Sequence, residues 1–131
     1  MENGTIPSNL ENTVKSQLID GRGLTCCITG ITQPELLIAV HIKPWGIDEK
    51  NRLNPRNGIV LNALHDRAFE VGLITITPEY IIKVSSILKK NNNSSLYSYF
   101  LTYENKMISL PSRFLPDKEF LEYHNKERFK I

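Results

Sequence analysis

The sequence predicts an α+β domain: a strand–loop–strand–helix unit, further antiparallel strands and a C-terminal helix. Three observations carry that expectation. Residues 35–42 read Glu-Leu-Leu-Ile-Ala-Val-His-Ile, a nearly continuous apolar and β-branched run of the kind found in buried strands. Residues 58–61 form a second short apolar run that passes directly into 62–71, where Ala63, Leu64, Ala68 and Phe69 recur at helical spacing. After that helix, 73–77 and 80–85 are strand-like runs separated by Pro78, which predicts a hairpin.

The remaining elements follow in chain order. Residues 1–23 are polar and carry Gly4, Pro7, Gly21 and Gly23; Leu10, Val14, Leu18 and Ile19 fall at helical spacing, so a short amphipathic helix capped by Ser8 or Asn9 is expected there. Residues 24–28 read as a strand closed by the turn Thr29-Gly30. Residues 43–56, with Pro44, Gly46, Asn54 and Pro55, form a polar, basic loop. Gly72 stops the helix that precedes it. A loop is expected at 91–95, a helix over 96–103, a strand over 107–110 before Pro111, and a last helix opened by Pro116 with Phe120, Leu121 and Tyr123. Two regions result: an N-terminal extension, 1–23, and one domain, 24–131.

Composition narrows the function classes. Of 131 residues, 40% are hydrophobic and 23% charged, as in an ordinary globular protein with one modest core. Net charge is +2, compatible with a nucleic-acid partner without demanding one. Lys43, Lys50, Arg52, Arg56 and Arg67 concentrate in the centre of the chain, partly offset by Asp48, Glu49 and Asp66. The two cysteines, Cys26 and Cys27, are adjacent, so a disulfide framework and a four-cysteine zinc site are both excluded; they read as core residues in a reducing cytoplasm. No apolar run is long enough to cross a membrane, and the polar start Met1-Glu2-Asn3-Gly4 lacks a signal-peptide core, so a soluble cytoplasmic protein is expected.

The chemistry is concentrated in 36–71. His41 lies near the end of a strand, Asn57 across a loop, and His65 inside the following helix. The strings are Ala39-Val40-His41-Ile42-Lys43-Pro44-Trp45, then Asn54-Pro55-Arg56-Asn57-Gly58, then Leu64-His65-Asp66-Arg67-Ala68-Phe69. Histidine suits hydrolysis because its ordinary pKa, ~6.5, lies close to neutrality.

This order and spacing resemble the HNH endonucleases, whose fold is the ββα-metal finger, and within them a bacterial restriction-type subgroup. The likeness runs from Cys26-Cys27-Ile28-Thr29-Gly30 to Phe120-Leu121-Glu122-Tyr123-His124-Asn125. It implies metal-dependent cleavage of DNA, often within a restriction or defence system. His41 would be the general base, His65 a metal ligand, and Asn57 a brace of the hairpin. Many members carry a further ligand directly before the base histidine. Val40 stands there, so Asp66 and Glu70 become the candidate additional ligands. Mg²⁺ or Mn²⁺ is the expected ion, and a histidine-containing site also admits Ni²⁺, Co²⁺ or Zn²⁺. Lys43, Arg52, Arg56 and Arg67 would contact DNA phosphates. A homodimer, or a separate specificity domain or subunit, would supply sequence choice. The alternative is a catalytically inactive HNH-fold module that only binds DNA.

Geometrically, the nuclease reading expects the rings of His41 and His65 to share one cleft, roughly 5–9 Å apart. Trp45 is expected to cap the core, Tyr97, Tyr99, Phe100 and Tyr103 to pack within it, and His124 to lie on the surface.

Overall fold

In the computed structural model, residues 24–44, 54–111 and 114–131 are described. The expected N-terminal helix, Trp45, Lys50 and Arg52 lie outside them.

β1 (Leu37–His41) forms where the sequence is most continuously apolar, after a single 3₁₀ turn at Pro34–Leu36. It pairs antiparallel with β2 (Gly58–Asn62), with Leu37 opposite Asn62 and His41 opposite Gly58. Both strands are buried on nearly every residue, which is why neither alternates polar with apolar. α1 (Ala63–Glu70) starts at once: the Asn62 side chain caps it by accepting the His65 N–H at 3.1 Å. The strand–strand–helix unit thus appears where the sequence places it.

β3 (Ile74–Ile76) and β4 (Ile82–Val84) form a separate two-stranded antiparallel sheet. Two short helices follow, α2 (Ser86–Lys89) and α3 (Ser94–Tyr99), then a 3₁₀ turn at Leu101–Tyr103. The last element is α4 (Lys118–Glu127), packed against β3. One core spans the units: Ala39, Val40, Leu61, Phe69, Ile74, Ile76, Ile82 and Leu121 are all buried. No helix of the described residues is long and apolar enough to cross a membrane.

Four expectations are corrected. Residues 24–28 form no strand. Gly30, at φ +81°, donates its N–H to the Cys26 carbonyl and turns the chain, so the run is apolar because it is buried, with Cys27 N–H bonded to Val60 O. Residues 107–110 make only a single bridge, Ile81 to Met107; Ile108 bonds Tyr80 while Ser109 bonds Cys27, and divided partners cannot build a ladder. The expected helix over 96–103 begins earlier, where Asn93 caps Ser95 and Leu96, and breaks at Phe100, so Ser94 and Ser95 are helical rather than loop. Pro116 lies outside α4, whose cap is Asp117.

Long-range ties hold α4. His124 is buried, contrary to its expected surface position. Its ring stacks on Phe69 at 3.6 Å between centroids. Nε2 donates to Phe69 O at 2.8 Å, and Nδ1 accepts the Thr75 hydroxyl at 2.7 Å. Burial pushes its pKa down to about 4, with the nearby Arg128 cation adding to the effect and the bond to Phe69 O opposing it. After α4, Lys130 N–H bonds Gly72 O at 2.8 Å. Gly72 has φ +84°, and a β-carbon there would lie 1.9 Å from the Arg128 carbonyl oxygen.

Two outcomes follow. Gly72→Ala combines left-handed strain with a backbone clash, and is expected to destabilise by about 2–4 kcal/mol in denaturant unfolding. His124 titrates lower when folded than when unfolded, so the unfolded chain binds more protons between about pH 6.5 and 4. Its contribution is complete above pH 6.5 and is lost as pH falls towards 4; a shift of that size corresponds to about 3 kcal/mol. Arg128, Glu70 and His41 are the other charged or titratable groups that line the same cleft as His124. Unfolding of the wild type and His124→Gln in EDTA at pH 7.5 and 4.5 checks this: the wild type should lose more stability on acidification than the variant.

Candidate active site

His41 is the last residue of β1 and is 3% exposed. The chain beyond it is held by Asn57, which is fully buried. Asn57 Oδ1 accepts the Lys43 N–H at 2.9 Å, and its Nδ2 donates to Lys43 O at 3.0 Å. Its own carbonyl accepts the Ile42 N–H at 3.0 Å. The side chain thereby extends the pairing past the strand ends, fixes residues 42 and 43, and sets the direction from which His41 emerges.

His41 lines a small cleft with three walls. Val40, His41, Ile42 and Pro44 form one, Phe69 and Glu70 at the end of α1 the second, and His124 and Arg128 of α4 the third. Glu70 Oε1 lies 3.5 Å from Arg67 Nη1. Glu70 Oε2 and Asp66 Oδ1 are buried and accept no hydrogen bond among the described residues. Asp66 and Glu70 are one helical turn apart and so share a stripe of α1. Burial, then the Glu70 charge, raises the Asp66 carboxyl to about 6, with Arg67 partly opposing. A negative, donor-poor edge therefore adjoins the histidine.

His65 is placed differently. It is 2% exposed, and its Nε2 lies 2.7 Å from Tyr99 O. A carbonyl only accepts, so the proton is on Nε2 and Nδ1 is an acceptor, 3.0 Å from Asn62 Nδ2. Burial lowers its pKa, against the effect of the Tyr99 bond. The ring packs 4.7 Å from Phe100 and edge-on to Tyr103. It lines a second, mainly apolar cavity of about 480 Å³ with Ile31, Leu36, Leu64, Tyr99 and Tyr103. The expected shared cleft is therefore not formed: His41 and His65 line different cavities. The expected role of His65 as a metal ligand meets a physical obstacle, because both its ring nitrogens are engaged inside the fold. Among the described residues, no three of His, Cys, Asp and Glu converge as a metal-holding group.

The basic side chains are dispersed. Lys43 Nζ lies 5.1 Å from the centre of the Tyr123 ring, and the Arg56 guanidinium 5.9 Å from that of Phe114. Arg67 is exposed, and Arg52 lies outside the described residues. The aromatic segment divides: Phe100 is buried and Tyr103 half-buried, while Tyr97 and Tyr99 are more than half exposed, so two of the four expected core rings face solvent. Cys26 and Cys27 are buried free thiols, and desolvation pushes that of Cys27 up. Sequence reasoning missed His124 and Arg128 as cleft residues. No local pattern marks them, since their partners on α1 lie 55 and 58 residues away.

A search of curated proteins finds no match. Residues 26–77 match the family model HNH_2, described as HNH endonuclease. That span covers the turn at Cys26, the β1–β2–α1 unit with His41, Asn57 and His65, and β3. Over this segment, the chain is similar to the HNH endonuclease family.

Proposed function

We propose that this protein is a metal-dependent DNA endonuclease that hydrolyses phosphodiester bonds, with His41 as general base and the Asp66–Glu70 edge of α1 as the seat of one divalent cation. The cleft supports the reading: His41 and Glu70 line it together, and Asp66 Oδ1 and Glu70 Oε2 are buried oxygens with no donor among the described residues. A buried carboxylate oxygen without a partner is unfavourable, and a bound cation would relieve it. Two of the three expected ligands fit an ion in this way. His65 does not, so the donor set is oxygen-based and suits Mg²⁺ or Mn²⁺ better than Ni²⁺, Co²⁺ or Zn²⁺.

When bound, such an ion supplies positive charge against the negative charge that gathers on the phosphate oxygens in the transition state. His41 takes the proton of the attacking water. Asn57 acts through Lys43, holding the backbone beyond the base in one position. Lys43, Arg56 and Arg67, with Arg52, meet backbone phosphates. The functional unit is 24–131, since α4 supplies one wall of the cleft. The resemblance of the His41–His65 strings supports a restriction or other defence role.

A second reading has specific support. Val40 precedes His41, and no three-ligand group occurs among the described residues. Both favour an HNH-fold module that binds DNA without cutting it.

Supercoiled plasmid incubated with the protein and Mg²⁺ or Mn²⁺ should be nicked. His41→Ala should reduce the rate roughly 10²–10⁴-fold with the melting temperature little changed, and EDTA should abolish nicking. A wild type that shifts DNA on a gel in a salt-sensitive way but never nicks it establishes the binding module instead. For the cation seat, saturating Mn²⁺ should raise the wild-type melting temperature by a few degrees and leave that of Asp66→Asn/Glu70→Gln unmoved; an equal rise in both places the ion elsewhere. Asn57→Ala leaves the Lys43 peptide groups without their partners and should destabilise by about 2–3 kcal/mol in chemical denaturation.

A further inference from the structure

The third wall of the cleft lies beyond residues 26–77, and its charged member is Arg128, the C-cap of α4. Three bonds fix this position. Arg128 N–H bonds His124 O at 3.0 Å, Arg128 Nη2 donates to Glu70 O at 3.1 Å, and the next turn of chain is tied by Lys130 N–H to Gly72 O. The guanidinium has five N–H donors, and the bond to Glu70 O occupies one of them. Arg128 is half-buried, so part of it still meets solvent at the cleft. His124 beside it is held in place by the Phe69 and Thr75 contacts, and burial keeps it neutral.

Cations also stand on the other two walls. Lys43 follows β1 and lies over Tyr123 of α4, and Arg67 projects from α1 beside Glu70. Arg128 differs from both in lining the same cleft as His41. A rigid fork of donors beside a base-bearing cleft matches the paired oxygens of a phosphodiester.

We infer that Arg128 is a phosphate-binding residue of this site, grasping the non-bridging oxygens of the DNA phosphate presented to His41. That this phosphate is the one cleaved rests on the nuclease reading; the grasp itself requires only DNA binding. The competing role is structural, a cation capping the carbonyl end of α1. That role would alter stability without altering how binding depends on salt.

The test uses the full chain in EDTA with a fluorescent duplex of about 20 base pairs, read by anisotropy over a NaCl series, below the melting temperature of every variant. Arg128→Gln should weaken binding about 5–10-fold and flatten the slope of log K against log[salt] by about 0.9, the loss of one phosphate contact. Arg128→Lys should recover the slope, and Lys126→Gln, on exposed α4 surface, should match the wild type. Should Arg128→Gln fail to fold, site-resolved phenylglyoxal modification of the wild type decides: the duplex should protect Arg128 several-fold. An unchanged slope in Arg128→Gln, equal modification with and without DNA, or no DNA binding by the wild type overturns the inference. A wild type that never nicks DNA with Mg²⁺ or Mn²⁺, yet shows the Arg128-dependent slope, retains the phosphate grasp and loses the nuclease assignment.

Discussion

One buried amide holds the open end of the first strand pair. Asn57 both accepts from and donates to the Lys43 peptide groups, so a side chain does there what a further rung of β ladder would do. No regular pairing could continue, because β1 ends at His41 and β2 begins at Gly58. Without the bridge, the Lys43 N–H and carbonyl would depend on solvent at a half-buried position. With it, His41 leaves the sheet in a fixed direction, and the cleft acquires a rigid first wall.

Two other histidines show how the same side chain serves a different end. His65 and His124 each donate Nε2–H to a carbonyl near the end of a helix, Tyr99 O in α3 and Phe69 O in α1. Helix ends leave such carbonyls without intrahelical partners. Each histidine accepts at Nδ1, from Asn62 and from Thr75 respectively, and desolvation lowers both pKa values. Neutral imidazole, donor on one side and acceptor on the other, ties separate elements together. His65 joins α1 to α3, and His124 joins α4 to both α1 and β3. In each case the ring faces are also covered, by Phe100 or by Phe69.

The carboxylates form the complementary half of the site. Asp66 and Glu70 are held close on one stripe of α1, with one oxygen of each buried and without a donor among the described residues. Such an arrangement is unfavourable by itself, and the raised Asp66 pKa expresses it. Arg67 beside them tempers the negative charge. The fold thus brings positive and negative groups to the cleft that His41 lines, at the junction of three elements.

The sequence by itself determined the β1–β2–α1 order, the Gly72 stop, and the positions of His41 near the end of its strand and of Asn57 just before the next. Each of these depends on neighbours a few residues away, where hydrophobic period, capping chemistry and turn preference act directly. Apolar runs 24–28 and 107–110 misled because burial, rather than ladder pairing, made them apolar. Only the tertiary structure decided which histidine faces the cleft and which is enclosed. His65 meets Tyr99 across 34 residues, His124 meets Phe69 across 55, and Arg128 meets Glu70 across 58. Such partners are chosen by how the elements pack, and a ring nitrogen carries no mark in the sequence of the carbonyl it will find.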